Sequence, residues 1–204
     1  MTASPVEQDV YLLRHGALDP QARHCFVGQI DLALSSEGLA QGQKLARHFA
    51  HVPLDALYCS DLARSRQTAE LIAAAHGGLE LRVRPALREI ALGAWDGKKR
   101  AQVALDDPQR YAARGRDILH VRPPGGESFA DCLARVLPVW EDILSSSARV
   151  AIVAHAGINR LLLSHALGMP MPLLLDIAQD YGCLNRLHRL GGQWQALAIN
   201  RLPP

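Results

Sequence analysis

Short apolar runs that close on a polar residue and a glycine punctuate this chain. Val10-Tyr11-Leu12-Leu13 leads into Arg14-His15-Gly16, and Val150-Ala151-Ile152-Val153-Ala154 leads into His155-Ala156-Gly157. Such a run reads as a buried parallel strand ending in a loop. Leu54 to Cys59 reads as another strand, and Leu81-Arg82-Val83 as a short one broken by Pro85. Helical spacing fills the gaps. Ser35 is placed to cap a helix through Leu39, Leu45, Ala46 and Phe49, after a polar loop from Ala17 to Ala33. Ser60 and Asp61 are expected to open a helix through Leu62, Ala69 and Ile72 that stops near Gly77-Gly78.

The middle is less regular. Arg88 to Gly97 reads as a loop, followed by a short helix from about Lys98. Asp107-Pro108 begins another that ends near Gly115, and Arg116 to Gly126 is irregular. The clearest helical face is Phe129, Leu133, Val136, Leu137, Trp140 and Leu144. Pro138 lies inside it and, lacking an N–H, is expected to kink it. A helix from Gly157 stops at Gly168 with Pro170 beyond. Cys183 to Leu190 and Trp194 to Ile199 flank Gly191-Gly192, a hairpin signal. Alternating strands and helices predict an α/β sandwich.

The chain has 204 residues, which favours one domain, and 49% of them are hydrophobic, enough for a sizeable core. A net charge of +2 argues against nucleic acid, whose binders carry a basic stripe. No apolar stretch is long enough for a membrane span, and Met1 to Asp9 lacks the build of a signal peptide. The scattered Cys25, Cys59, Cys132 and Cys183 read as reduced core residues, so a cytoplasmic protein is expected. Among nine histidines only His48 and His51 are close, and zinc spacings with glutamate or cysteine are absent, so no metal is expected.

Ligands of open α/β sheets bind at the strand C-terminal ends. Two imidazoles, His15 and His155, are therefore expected at one sheet edge, with Arg14 beside them. Attack on a phosphate monoester needs a nucleophile, cationic clamps and an acid for the leaving oxygen. His15 offers a nitrogen nucleophile, Arg14 and Arg64 offer bidentate forks, and Glu89 lies in a loop free to reach a cleft. Each residue alone has a plainer reading: a hydrogen-bonded structural histidine, a solvated helix charge, a surface carboxylate, a turn glycine. The case rests on their convergence at strand ends.

Leu12-Leu13-Arg14-His15-Gly16 resembles the signature of the histidine phosphatase superfamily, also called phosphoglycerate-mutase-like. Further pieces follow in the family's order. Phe26 to Leu34 resembles its post-signature loop and Ser60 to Ala69 its second-arginine helix. Arg88 to Gly97 resembles its acid loop; Pro123-Pro124-Gly125-Gly126-Glu127-Ser128 and Val153 to Gly157 complete the set. The resemblance runs from about Val10 to Asn200 and implies a three-layer α/β/α sandwich, with a mostly parallel central sheet and helices on both faces. Residues 1–204 would form one domain, with about 98–126 as a lid-like insertion.

By the same resemblance His15 would be the phosphorylated nucleophile and Glu89 the proton donor. Arg14, Arg64 and His155 would bind the phosphoryl oxygens. Val27, Gly28 and Ala156 would line the substrate site, the last two through backbone N–H groups. Gln21 falls where the family often has asparagine and would substitute as a phosphate contact. No metal or organic cofactor would be needed. The chain departs from the family at Ala17-Leu18, where many members carry polar residues, so one polar wall is lost.

The short segment between Trp95 and Glu127 resembles the phosphatase branch. The Pro-Pro-Gly-Gly-Glu-Ser run resembles α-ribazole phosphatases and broad sugar-phosphate phosphatases. The expected activity is hydrolysis of a small phosphomonoester, such as α-ribazole 5'-phosphate or a sugar phosphate. The alternatives are phosphoglycerate-mutase-type transfer and a non-catalytic phospho-ligand binder. The partner expected is a small phosphorylated metabolite, with no nucleic acid and no membrane, for a monomer or homodimer. Arg110, Arg114, Arg116, His120 and Arg122 read as a solvated basic surface or, alternatively, as an anion-friendly lid.

Overall fold

A computed structural model describes residues 7–204; residues 1–6 of the N-terminal stretch read above as leaderless lie outside the described residues. Strands β1 (Gln8–Arg14), β2 (Ala56–Cys59), β3 (Leu81–Val83), β4 (Arg149–Ala154), β5 (Leu184–Leu190) and β6 (Gln193–Arg201) form one sheet in the order β3-β2-β4-β1-β5-β6. The β3, β2, β4 and β1 neighbours pair in parallel; β5 and β6 add antiparallel beyond β1. The register aligns Leu13 with Val153 and Arg14 with Ala154, so both histidine-bearing loops leave the sheet side by side.

Strand alternation splits the core between two faces. Val10, Leu12, Tyr58, Val150 and Ile152 face one layer, against helices α5 (Phe129–Ser146) and α6 (Ala156–Leu167). Tyr11, Leu13, Leu57, Ala151 and Val153 face the other, against α1 (Ser36–Phe49) and α2 (Ala63–Ala75). β1 and β4 are buried on both faces, which is why their sequences are unbroken apolar runs. The segment between Trp95 and Glu127 carries the short helices α3 (Arg100–Asp106) and α4 (Pro108–Arg116). Among the described residues no helix is long and apolar enough to cross a membrane.

Several local expectations match. Ser35 Oγ accepts from the Gly38 N–H at 3.1 Å and caps α1. Gly191 and Gly192 both take positive φ in the β5–β6 turn, as a two-residue hairpin requires. Others differ. Ser60 and Asp61 do not open α2, which begins at Ala63. The Asp61 carboxylate is held by Arg88, Ser60 Oγ meets His155, and Asp31 from the post-signature loop accepts the Ala63 N–H instead. Pro138 does lie inside helix α5 as expected, on its exposed side with Ala134, the residue whose carbonyl it leaves without an N–H. All four cysteines are free; Cys25 is not core but lines a cavity.

Candidate active site

At the C-terminal ends of β1 and β4 the His15 and His155 rings lie 5.1 Å apart, both buried. His15 Nδ1 lies 2.8 Å from the Gly16 carbonyl oxygen. A carbonyl only accepts, so Nδ1 carries the proton and the lone pair sits on Nε2. Burial, reinforced by the Arg64 and Arg14 charges, pushes the His15 imidazole well below the ordinary histidine range. The same order of causes holds His155 low, burial first and Arg64 next. Both rings are therefore neutral at pH 7.

Gly16 has to be glycine. A Cβ there would come within 2.2 Å of the Gly38 carbonyl, so the loop after β1 packs flush on the start of α1. The Gly16 N–H donates to Thr68 Oγ1, and that hydroxyl donates to the Arg64 carbonyl. The His15 loop and the Arg64 helix are thus tied together.

Arg64, the second residue of α2, is fully buried and donates at 2.7 Å to the carbonyls of Ile30 and Gly28. Arg14 donates to the Gln179 carbonyl and lies 3.7 Å from the centre of the Tyr181 ring, a cation–π stack. The Tyr181 ring is also 5.6 Å from His15. Gln179 is fixed by Asn185, whose amide also donates to the Leu12 carbonyl, so the Tyr181 loop is anchored on β1 itself. Ser60 Oγ and His155 Nε2 are 2.7 Å apart. Arg14 Nε, Arg64 Nε and His155 Nδ1 are buried with no partner. Two guanidinium groups thus flank His15 with donor capacity to spare, beside a neutral imidazole, an arrangement suited to an anion.

Glu89 reaches this site from the acid loop. Its Oε2 accepts from the Gly157 N–H at 3.1 Å and its Oε1 from the Ile90 N–H at 3.0 Å. Arg135 on α5 holds that loop from behind, donating to the carbonyls of Ala86, Arg88 and Glu89 while pairing through both arms with Glu127.

A cavity of about 480 Å³ opens here, lined by Arg14, His15, Val27, Gly28, Arg64, Glu89 and Ala156 among others. The structure thus gathers the expected residues, with His155 directly behind. Gln21 is the exception: it sits exposed on the 3-10 turn Pro20–His24 and is not among the lining residues, which take Ala22 and Arg23 from that turn. The Gly28 carbonyl is committed to Arg64. The departure at Ala17-Leu18 supplies an apolar wall, with Leu18 lining the cavity. The basic residues of the 98–126 segment divide: Arg110, Arg116, His120 and Arg122 are exposed, while Arg114 is buried and lines the cavity. Tyr181, Arg160, Ser60 as the partner of His155, and Arg135 are additions that sequence reading did not supply. The polar Gln179-Asp180-Tyr181-Gly182 stretch before β5 was the available sign of a turn at the site.

Comparison with known proteins agrees with this geometry. The chain is 28% identical over 176 residues to adenosylcobalamin/alpha-ribazole phosphatase of Salmonella typhimurium, covering 85% of this chain and 87% of the relative. It is 32% identical over 170 residues to glucosyl-3-phosphoglycerate phosphatase of Mycobacterium tuberculosis, covering 78% and 75%. The native structure of the mycobacterial glucosyl-3-phosphoglycerate phosphatase superposes with a TM-score of 0.86 at 27% identity, over 95% of this chain and 99% of that one. A family model matches residues 10–202, and on that match the chain belongs to the histidine phosphatase superfamily (branch 1).

Proposed function

We propose that this chain is a phosphoric monoester hydrolase that works through a phosphohistidine on His15. The observation that carries this is the His15 imidazole, its proton held by Gly16, set among buried donors that lack an acceptor. In the first step the Nε2 lone pair attacks phosphorus, an N–P bond forms and the ester P–O bond breaks. Arg14, Arg64 and His155 hold the equatorial oxygens as charge spreads over them. Glu89 gives its proton to the departing alkoxide. In the second step Glu89 takes a proton from water, the oxygen attacks phosphorus, and the N–P bond breaks to release inorganic phosphate and free His15. No step calls on a metal or an organic cofactor. Residues 98–126 serve as a lid over the cavity within one domain, since Arg100, Arg114 and Ile118 from that segment line it.

The substrate is a small phosphorylated metabolite. The relatives' names point to α-ribazole 5'-phosphate or a sugar phosphate. Relatives also include a 2,3-bisphosphoglycerate-dependent phosphoglycerate mutase of Methylobacterium radiotolerans at 33% identity, so transfer is the competing reading. An aryl phosphate assay on wild type and His15→Ala, with trapping of acid-labile phosphohistidine, tests the proposal. Loss of release and of trapped phosphate in the variant supports it; equal release from both proteins overturns it. Incubation with 3-phosphoglycerate and a bisphosphoglycerate primer separates the readings. Fast formation of 2-phosphoglycerate with little free phosphate would establish transfer instead.

A further inference from the structure

The cavity beside His15 holds more positive charge than one phosphoryl group uses. Six arginines line it (Arg14, Arg23, Arg64, Arg100, Arg114 and Arg160), against one carboxylate, Glu89. The buried and half-buried arginines around it are otherwise engaged. Arg64 donates to two carbonyls, Arg160 Nε donates to the Ile177 carbonyl, and Arg135 is bound to Glu127. Arg114 differs. It is 9% exposed, and among the described residues its guanidinium makes no hydrogen bond and no ion pair; Nε is buried without a partner. Its nearest aromatic support is Phe129, 5.8 Å from ring centre to Cζ. Burial lowers its pKa, and no carboxylate offsets that. A sequestered cation without a counter-charge is costly, and folds keep one where a ligand completes it.

Arg114 also stands between two spaces. Phe26, Arg100, Arg114, Ile118 and Leu175 are shared with an adjoining cavity of about 610 Å³, which carries Trp95 and Tyr111. Phe26 stacks on Trp95 with ring centres 5.4 Å apart, giving that space a flat apolar wall. An alcohol half leaving the His15 centre toward this wall passes the Arg114 fork.

We propose that Arg114 is a specificity-determining residue that binds a second anionic group, a carboxylate or a further phosphate, on the alcohol half of the substrate. This rests on the phosphatase reading above. Planar bidentate recognition suits either group.

The test uses matched esters: 3-phosphoglycerate against glycerol 3-phosphate for the carboxylate, and fructose 1,6-bisphosphate against fructose 6-phosphate for the phosphate. Wild type is expected to favour the charged member of at least one pair by about tenfold or more in kcat/KM, the scale of one charge-assisted hydrogen bond. Whichever pair responds identifies the anion. Arg114→Gln is expected to shrink that ratio by about tenfold, and Arg114→Lys to keep part of it. Should Arg114→Gln not fold, the wild-type and Arg114→Lys ratios still decide. Release from all four esters without preference, or a ratio unchanged in Arg114→Gln, overturns the assignment and leaves the phosphatase reading standing. No release from any of the four esters overturns the assignment, and the aryl phosphate assay with His15→Ala then decides the phosphatase reading separately.

Discussion

Gly157 presses directly on the Glu89 carboxylate. Its N–H donates to Oε2 at 3.1 Å, and a Cβ on it would lie 2.4 Å from Oε1. The first turn of α6 therefore sets the position of Glu89, the proposed proton donor. The atom in the way is the end of a flexible side chain, so Gly157→Ala is expected to fold with little change in Tm. It is expected to displace Glu89 and lower kcat on alkyl phosphates by about 10- to 100-fold, within the range of general acid catalysis. Steady-state kinetics beside a thermal melt read both parts; a normal kcat would remove Glu89's dependence on Gly157.

Glu89→Gln keeps much of the hydrogen-bonding shape and loses the transferable proton. Alkyl leaving groups need that proton and activated aryl ones do not. The loss is expected to be far larger on glycerol phosphates than on an aryl phosphate. Equal losses across a series of leaving-group pKa values would contradict the assigned acid role.

Arg64→Ala removes a charged donor from the equatorial oxygens and its grip on Gly28 and Ile30. A loss of about 3–4 kcal/mol of transition-state stabilisation is expected, roughly 10²- to 10³-fold in kcat. A near-normal rate would show that Arg64 is only a loop anchor.

The neutral His15 and His155 rings give two signed pH effects. Their folded pKa values lie well below 6.5, while the unfolded chain takes up these protons near 6.5. Below that value the unfolded state binds more protons, so stability falls with falling pH toward the folded pKa values and levels off above 6.5. Thermal melts from pH 7.5 to 5 are expected to show a falling Tm, with a weaker slope in His155→Gln. His15, the proposed nucleophile, also stays deprotonated in mild acid, so the acid limb of kcat/KM is expected well below 6.5. A limb centred at 6.5 would mean that His15 titrates as a solvent-exposed imidazole.

Arg135 and Glu127 are both mostly buried and joined through two contacts, 2.7 and 2.8 Å. Removing one partner leaves the other charge stranded, so Arg135→Met is expected to cost about 3–5 kcal/mol in urea unfolding. Pairing it with Glu127→Leu is expected to return part of that loss. A single-variant cost below about 1 kcal/mol would argue that the pair is solvated.

What could be read in the chain followed from local rules. β1 and β4 are buried on both faces, so their apolar runs stood out, and the histidines after them marked the sheet edge. The Ser35 cap and the Gly191-Gly192 turn depend on neighbours a few residues away. Tyr181 escaped because its role comes from packing between distant segments, where it meets Arg14 from across the chain; Arg114 was named only as one of five basic residues, and what sets it apart from the other four is its burial. Asp61 looked like a helix opener, yet a stronger partner, Arg88, had claimed it. Gln21 was placed by family position alone, and within its short turn it is Ala22 and Arg23, not Gln21, that reach the cavity.

β1 lies between β4 and β5, and the Arg14 amide and His15 carbonyl are bonded to Cys183 and Gly182. The strand that leads into His15 is made before both of its neighbours, which start only at Arg149 and Leu184. A nascent polypeptide on the ribosome must therefore carry this segment unpaired until the β4 and β5 segments have followed it, and the His15 loop is seated only then.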